Sequence, residues 1–359
     1  MKFKIKLLAL CIVIFLVLGC ENGNTDVNLT FDEIFKLEAK SYSFIDTDYY
    51  ADSIIDNRGY MFVPTENDTI NIYNASDLEF INSISFISNV SSSSIGNPIA
   101  KLITENDQLI FSGWSDIYFY DISDINDISL IERDLLERAE DTDGIYDFVK
   151  IGDYIYAPTS SGLNIYQWNS NIFTFIGTSS VTLTPDEQFS NNSSRILSYN
   201  NFLYYFSYNS SDNSLQRVVT FDITDDAENP VILSNRTDIE FEHLNLSMTE
   251  NYFISCFTNT ITIYEINTDG TLNQVYRGEP HINEGSSLKE DLFVGSWADY
   301  IIDYSQKDQP VLLSSFSYTV PEHLRILRQN DIYYFFEVIN NFSGEYKQDV
   351  SIRKYSIVQ

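Results

Sequence analysis

A strand, a two-residue polar turn and an aromatic-rich second strand recur together seven times along the 359 residues. The second strands begin at Tyr60, Gln108, Tyr154, Phe202, Tyr252, Leu292 and Ile332. The residues just before them are Gly59, Asp107, Asp153, Asn201, Asn251, Asp291 and Asp331, types that tolerate positive φ in a hairpin turn. A third strand follows each pair and ends alike, as in Asn71-Ile72-Tyr73-Asn74, Tyr118-Phe119-Tyr120-Asp121 and Thr262-Ile263-Tyr264-Glu265. Six copies continue into a fourth strand, such as Pro230-Val231-Ile232-Leu233. Successive second strands start 48, 46, 48, 50, 40 and 40 residues apart. Four strands at that period make one propeller blade, so the expected fold is all-β: a single seven-bladed β-propeller of four-stranded antiparallel blades.

The seventh copy stops at Gln359 after its third strand. Lys40-Ser41-Tyr42-Ser43-Phe44-Ile45, just before the first copy, reads like the fourth strand Ser314-Ser315-Phe316-Ser317-Tyr318. An N-terminal strand over 40–46 is therefore expected to complete the last blade and close the ring, covering edges that invite aggregation. The expected organisation is a signal peptide over 1–19, a lipid anchor and polar tether over 20–36, and the propeller over 37–359. A short helix is expected over Phe31–Leu37.

The N-terminus carries Lys2, Lys4 and Lys6 and then twelve apolar residues, Leu7 to Leu18. A basic segment followed by an apolar core of that length is a secretory signal and is short for a membrane span. Val17-Leu18-Gly19-Cys20 resembles a bacterial lipobox, which implies cleavage after Gly19 and acylation of Cys20. Several acyl chains on one cysteine hold a protein at a bilayer where one chain does not. The expected location is the cell envelope, lipid-anchored at the outer membrane or cell surface and facing an extracytoplasmic space.

The repeats themselves also resemble a known family. Asp116-Ile117-Tyr118-Phe119-Tyr120-Asp121-Ile122-Ser123-Asp124 and Asp222-Ile223-Thr224-Asp225-Asp226-Ala227-Glu228-Asn229-Pro230-Val231 are similar to LVIVD-repeat propellers, in which a hydrophobic strand ends in Asp before a Pro-containing turn. Gly152-Asp153-Tyr154-Ile155-Tyr156-Ala157 and Ser161-Gly162-Leu163-Asn164-Ile165-Tyr166 match the other two strands. The likeness covers about residues 40–359, and Asn74, Gln167, Glu265 and Ser356 depart from Asp at the family position. It implies a fold and a cell-envelope location, and brings no catalytic residues.

With the signal removed, the 21 basic residues fall to 18 against 52 acidic ones, a formal charge of −34. Such a surface repels nucleic-acid backbones and anionic headgroups, which excludes nucleic acid as an expected partner. Cys11 leaves with the signal and Cys20 carries lipid, so Cys256 stands without a disulfide partner.

First strands line the channel of a propeller, and their starts open on one face. Six residues before each aligned turn residue stand Ser53, Lys101, Asp147, Arg195, Asn245, Gly285 and Arg325. Two residues upstream, on the same strand face, are Ala51, Ile99, Ile145, Ser193, His243, Asn283 and His323. Lys101, Asp147, Arg195, Asn245, Arg325, His243 and His323 are the candidate ligand-binding residues of the channel mouth. An electropositive funnel there would suit an anionic small molecule or glycan; the plain alternative is a water-filled channel with internal ion pairs. Asp141-Thr142-Asp143-Gly144 with Asp147 has calcium-loop spacing but lacks a closing glutamate, and a solvated loop is the preferred reading. No metal site, cofactor or catalytic residue is assigned. The preferred function is a non-catalytic binding or scaffolding module, whose partner is an anionic ligand or an envelope protein. A hydrolase or lyase acting on an acidic polysaccharide is the alternative.

Overall fold

A computed structural model describes residues 35–46, 53–65, 69–86, 101–113, 116–135, 147–159, 162–169, 172–181, 194–209, 212–239, 241, 246–249, 251–257, 260–278, 287–289, 292–294, 300–303, 311–315, 323–329, 332–341 and 347–357. Among these residues the strands form seven separate four-stranded antiparallel sheets, spanning 54–85, 101–135, 149–180, 195–236, 246–278, 287–315 and 323–357. They are numbered blades 1 to 7 in chain order. The seventh takes its outer strand from Phe35–Asp46, which pairs antiparallel with Lys347–Ile357.

Where their side chains are described, second and third strands are buried on both faces, and alternate residues go to opposite neighbours. Met61 and Val63 pack with Tyr334, Phe336 and Ile352 of blade 7, whereas Phe62 packs with Leu109, Phe111 and Tyr118 of blade 2. The core is thus a series of apolar layers between blades. Further layers join blades 2 and 3, 3 and 4, and 4 and 5, and the first strands of blades 5, 6 and 7 lie side by side.

The repeat is enforced by two backbone features. In five blades the N–H just after the third-strand motif donates to the carbonyl of the turn residue preceding the second strand: Ala75 to Gly59, Ile122 to Asp107, Trp168 to Asp153, Ile223 to Asn201 and Ile266 to Asn251. Each outer strand also carries one bulge at the same register, opposite Tyr73, Tyr120, Tyr166, Phe221, Tyr264, Ile302 or Tyr355 of its third strand. A bulge kinks and twists an edge, which hinders open-ended pairing with other chains.

The expected architecture needs correcting in two respects. A closing strand of 40–46 is too short: the outer strand of blade 7 is Phe35–Asp46, with its bulge between Leu37 and Ala39. The tether drawn to residue 36 and the helix drawn over Phe31–Leu37 therefore do not hold at residues 35–37, which are strand. The inserted Glu38 breaks the period-two pattern there, so Phe35-Lys36-Leu37 does not read in register with the stretch from Ala39 to Asp46. The seven blades are also unequal in strand length. The first strand of blade 1 is only Ile54–Ile55, and blade 6 has strands of 3, 3, 4 and 5 residues.

Tyrosines tie neighbouring blades. At the third position of the second strand, Tyr156, Tyr204 and Tyr334 donate their hydroxyls to the next blade's loop carbonyls: Ala227 O at 2.8 Å, Gly270 O at 3.1 Å and Ala75 O at 2.8 Å. All three are buried, and burial raises their hydroxyl pKa, that of Tyr334 from 10.0 to about 12. Because the folded state favours the neutral phenol, this stabilisation is whole below pH 10 and is lost as pH climbs through about 12. Urea midpoints are expected to fall over that window. The triple Tyr→Phe variant should be less stable at pH 8 by roughly 1 kcal/mol per lost hydrogen bond and should show a shallower alkaline decline. An undiminished decline in the variant would assign it to other groups.

Candidate functional site at the channel mouth

Asp147 lies two residues before the first strand of blade 3, Val149–Ile151, and is buried. One carboxylate oxygen, Oδ1, accepts from Phe148 N at 2.9 Å and from Lys101 Nζ of blade 2 at 3.1 Å. The other, Oδ2, accepts from Ile196 N of blade 4 at 3.0 Å. One carboxylate therefore ties three consecutive blades at the starts of their first strands. Lys101 is the first residue of its strand and keeps 34% side-chain exposure, but its charge is matched by Asp147.

Arg195 begins the first strand of blade 4 and is half-buried, with Nη1 3.5 Å from Ser194 O. Arg325 and His323 lie in the first strand of blade 7, His323–Gln329. A bulge between them pairs Arg325 with Phe336 and His323 with the adjacent Glu337. The two-residue spacing that assigns both to one strand face is interrupted there. His243, Asn245, the Asp141–Gly144 loop and Cys20 lie outside the described residues. Among the mouth candidates whose side chains are described, Lys101 and Asp147 are in contact.

Chemically this is a neutralised, hydrogen-bonded ion pair. It suits mechanical joining of blades better than proton transfer, since a general acid or base needs an oxygen directed at a substrate. Among the described residues, no three His, Cys, Asp or Glu side chains are placed to hold a metal ion.

On the opposite face, sequence reasoning missed a second charged tie. In the first turn of blade 1, Gly59 at φ +86° allows the hairpin to close, and buried Asp56 receives Arg58 N and Tyr60 N on Oδ1. The Arg58 guanidinium lies bidentate on Asp56 Oδ2 with Nε and Nη2, both at 2.8 Å. Its Nη1 donates to Ile122 O at 2.6 Å and meets Asp107 at 3.2 Å, both in blade 2. Buried Arg217, opposite Ser207 in blade 4 and near Tyr205, was missed as well. The signal that could have flagged Arg58 is a lone arginine inside an otherwise small, acidic turn.

Third strands show what the recurring Asp does. Asp121 Oδ1 accepts from Ser123 N, and Asp222 Oδ1 from Thr224 N, each at 2.8 Å, ending the strand in a side-chain turn. Asn74 makes the same bond to Ser76 N at 2.9 Å, so its amide replaces the carboxylate without loss. These hydrogen bonds, side-chain and backbone, hold the Asp121 and Asp222 carboxyls below the usual range.

No protein-family model matches the chain, and no curated protein matches it either. Solved structures do. BamB from Moraxella catarrhalis is 12% identical with a TM-score of 0.53, over 85% of this chain and 82% of that one. The Cps50 (Swd1) β-propeller domain of Myceliophteria thermophila is 9% identical with a TM-score of 0.61, over 90% and 100%. The Pan2 WD40 domain of Neurospora crassa is 9% identical with a TM-score of 0.58, over 90% and 97%. At such identities the likeness is one of fold, and the fold is an all-β propeller with four-stranded antiparallel blades.

Proposed function

We propose that the chain is a lipoprotein of the bacterial cell envelope, tethered through acylated Cys20, whose propeller is a non-catalytic binding or scaffolding module working from the rims of its blades. One observation carries the reading. The exposed large apolar side chains among the described residues, Leu37, Phe80, Leu130, Ile172, Phe175, Val231, Ile232 and Leu233, all stand on outer strands. Apolar residues collected on one kind of surface suit protein contact better than chance scatter does. The side-chain turns at Asn74, Asp121 and Asp222 support the LVIVD-like reading of the repeats. Engagement of both Asp147 oxygens counts against the hydrolase alternative at the mouth. The experiment that tests the proposal is photo-crosslinking in living cells from single rim and mouth positions, with adducts expected from the rim.

A further inference from the structure

The outer strand of blade 4, Val231–Arg236, gathers its exposed apolar residues side by side and is guarded by fewer charges than the outer strands of blades 2 and 7. Val231, Ile232 and Leu233 are consecutive and 61%, 41% and 43% exposed. Outer strands are commonly protected by charges. Blade 2 carries Glu132, Arg133 and Asp134 on its outer strand, and blade 7 carries Lys36, Glu38 and Lys40. The charge on the blade 4 strand is Arg236, at its far end. That guanidinium lies on Asp238, Nε to Oδ1 at 2.9 Å and Nη2 to Oδ2 at 2.7 Å, and its Nη1 donates to Leu272 O at 2.9 Å.

Beside the apolar residues is a fixed acidic lip. Asp225, Asp226 and Glu228 are exposed in the loop that leads into the strand. Tyr156 of blade 3 holds Ala227 O at 2.8 Å, and Tyr154 donates to Glu228 Oε1 at 2.9 Å. Asp226 accepts from Glu228 N at 2.9 Å and from Asn229 Nδ2 at 2.8 Å. The lip is held in place before anything binds, which lowers the ordering cost of association.

We infer that this edge docks a short extended segment of a partner protein in which lysine or arginine adjoins apolar side chains. Charge selects that occupant. A second copy would bring another strongly acidic chain and the same lip against this one, and anionic headgroups are repelled for the same reason. The bulge that makes Leu233 an extra residue, between the Ile232–Phe221 and Ser234–Thr220 pairs, keeps the docked segment short.

This rests on the binding-module reading, and its failure is separable: rim crosslinks could persist in cells while this edge binds nothing basic. The probe is a fluorescent eight-residue peptide of alternating lysine and valine, titrated into the full chain and followed by anisotropy. The expected result is saturable binding that weakens at least tenfold in Ile232→Glu/Leu233→Glu, and at least tenfold when serine replaces the valines. Added acids would strengthen a purely electrostatic attachment, so the double variant separates docking from charge alone. Both residues are exposed, and unchanged thermal unfolding of the variant checks the fold. No saturable binding, undiminished binding by the variant, self-association of the wild type removed by the variant, or variant-sensitive flotation with vesicles would each overturn the inference.

Discussion

Replacing Asp147 with alanine is expected to destabilise the fold by roughly 3 kcal/mol, because two buried amides lose their acceptor and Lys101 loses its counter-charge. The two amides dominate, at about 1–3 kcal/mol each, since Lys101 is a third exposed and water can take over its ammonium. In a chain of this size that corresponds to a fall in Tm of about 5 °C. Asp147→Asn should recover little, because the carboxamide turns one donor toward a backbone N–H that needs an acceptor. Lys101→Met should cost clearly less than Asp147→Ala, since the carboxylate keeps both amides. Chemical denaturation of the three variants checks the order. An Asp147→Ala cost within the ±0.5 kcal/mol of ordinary surface changes would show that the carboxylate does not tie the blades.

The second large effect belongs to Arg58→Ala on the opposite face. Asp56 is 3% exposed and would keep two backbone amides but lose its bidentate cation, while Ile122 O and Asp107 of blade 2 would lose their donor. Removing one partner of a fully buried pair costs about 3–5 kcal/mol. Arg58 retains 25% side-chain exposure, so solvent screening brings the expected cost down to about 2–3 kcal/mol. Arg58→Lys should restore less than half, since an ammonium cannot make the paired Nε and Nη2 contact and still reach Ile122 O. Combined with Asp56→Ala, the arginine change should be far from additive, because the two side chains share one contact. An additive double variant would contradict the clamp.

Turn and strand chemistry were legible in the sequence because they are local. A polar residue able to turn sharply, followed by alternating aromatics, marks where each second strand begins, and the strands start at Tyr60, Gln108, Tyr154, Phe202, Tyr252, Leu292 and Ile332. The turn conformation itself sits one residue earlier in two blades, where positive φ belongs to Gly152 and Asn200. Contacts between blades were not legible. Tyr156 and Ala227 are 71 residues apart in sequence, and nothing in either neighbourhood names the other. Asp147 illustrates the same limit: aligned as a mouth residue, it is held by an amide and a lysine from its two neighbouring blades. Alternation along the first strand of blade 7 is broken by the bulge between His323 and Arg325, so a spacing of two residues does not put both on one face. Apolar outer strands could be read as strands, yet which of their side chains remain exposed depends on the twist and bulge of each edge.

On the proposed function the rim, not the mouth, is the working surface. The deciding measurement is photo-crosslinking of the full-length chain in living cells, with a photoreactive residue placed singly at Phe80, Leu130, Ile172 or Ile232 and, for comparison, at Lys101 or Arg195. Discrete adducts from at least one rim position, at several times the yield from either mouth position, are the predicted result. Adducts from the mouth positions with none from the rim would contradict it and return the search for a ligand to the channel.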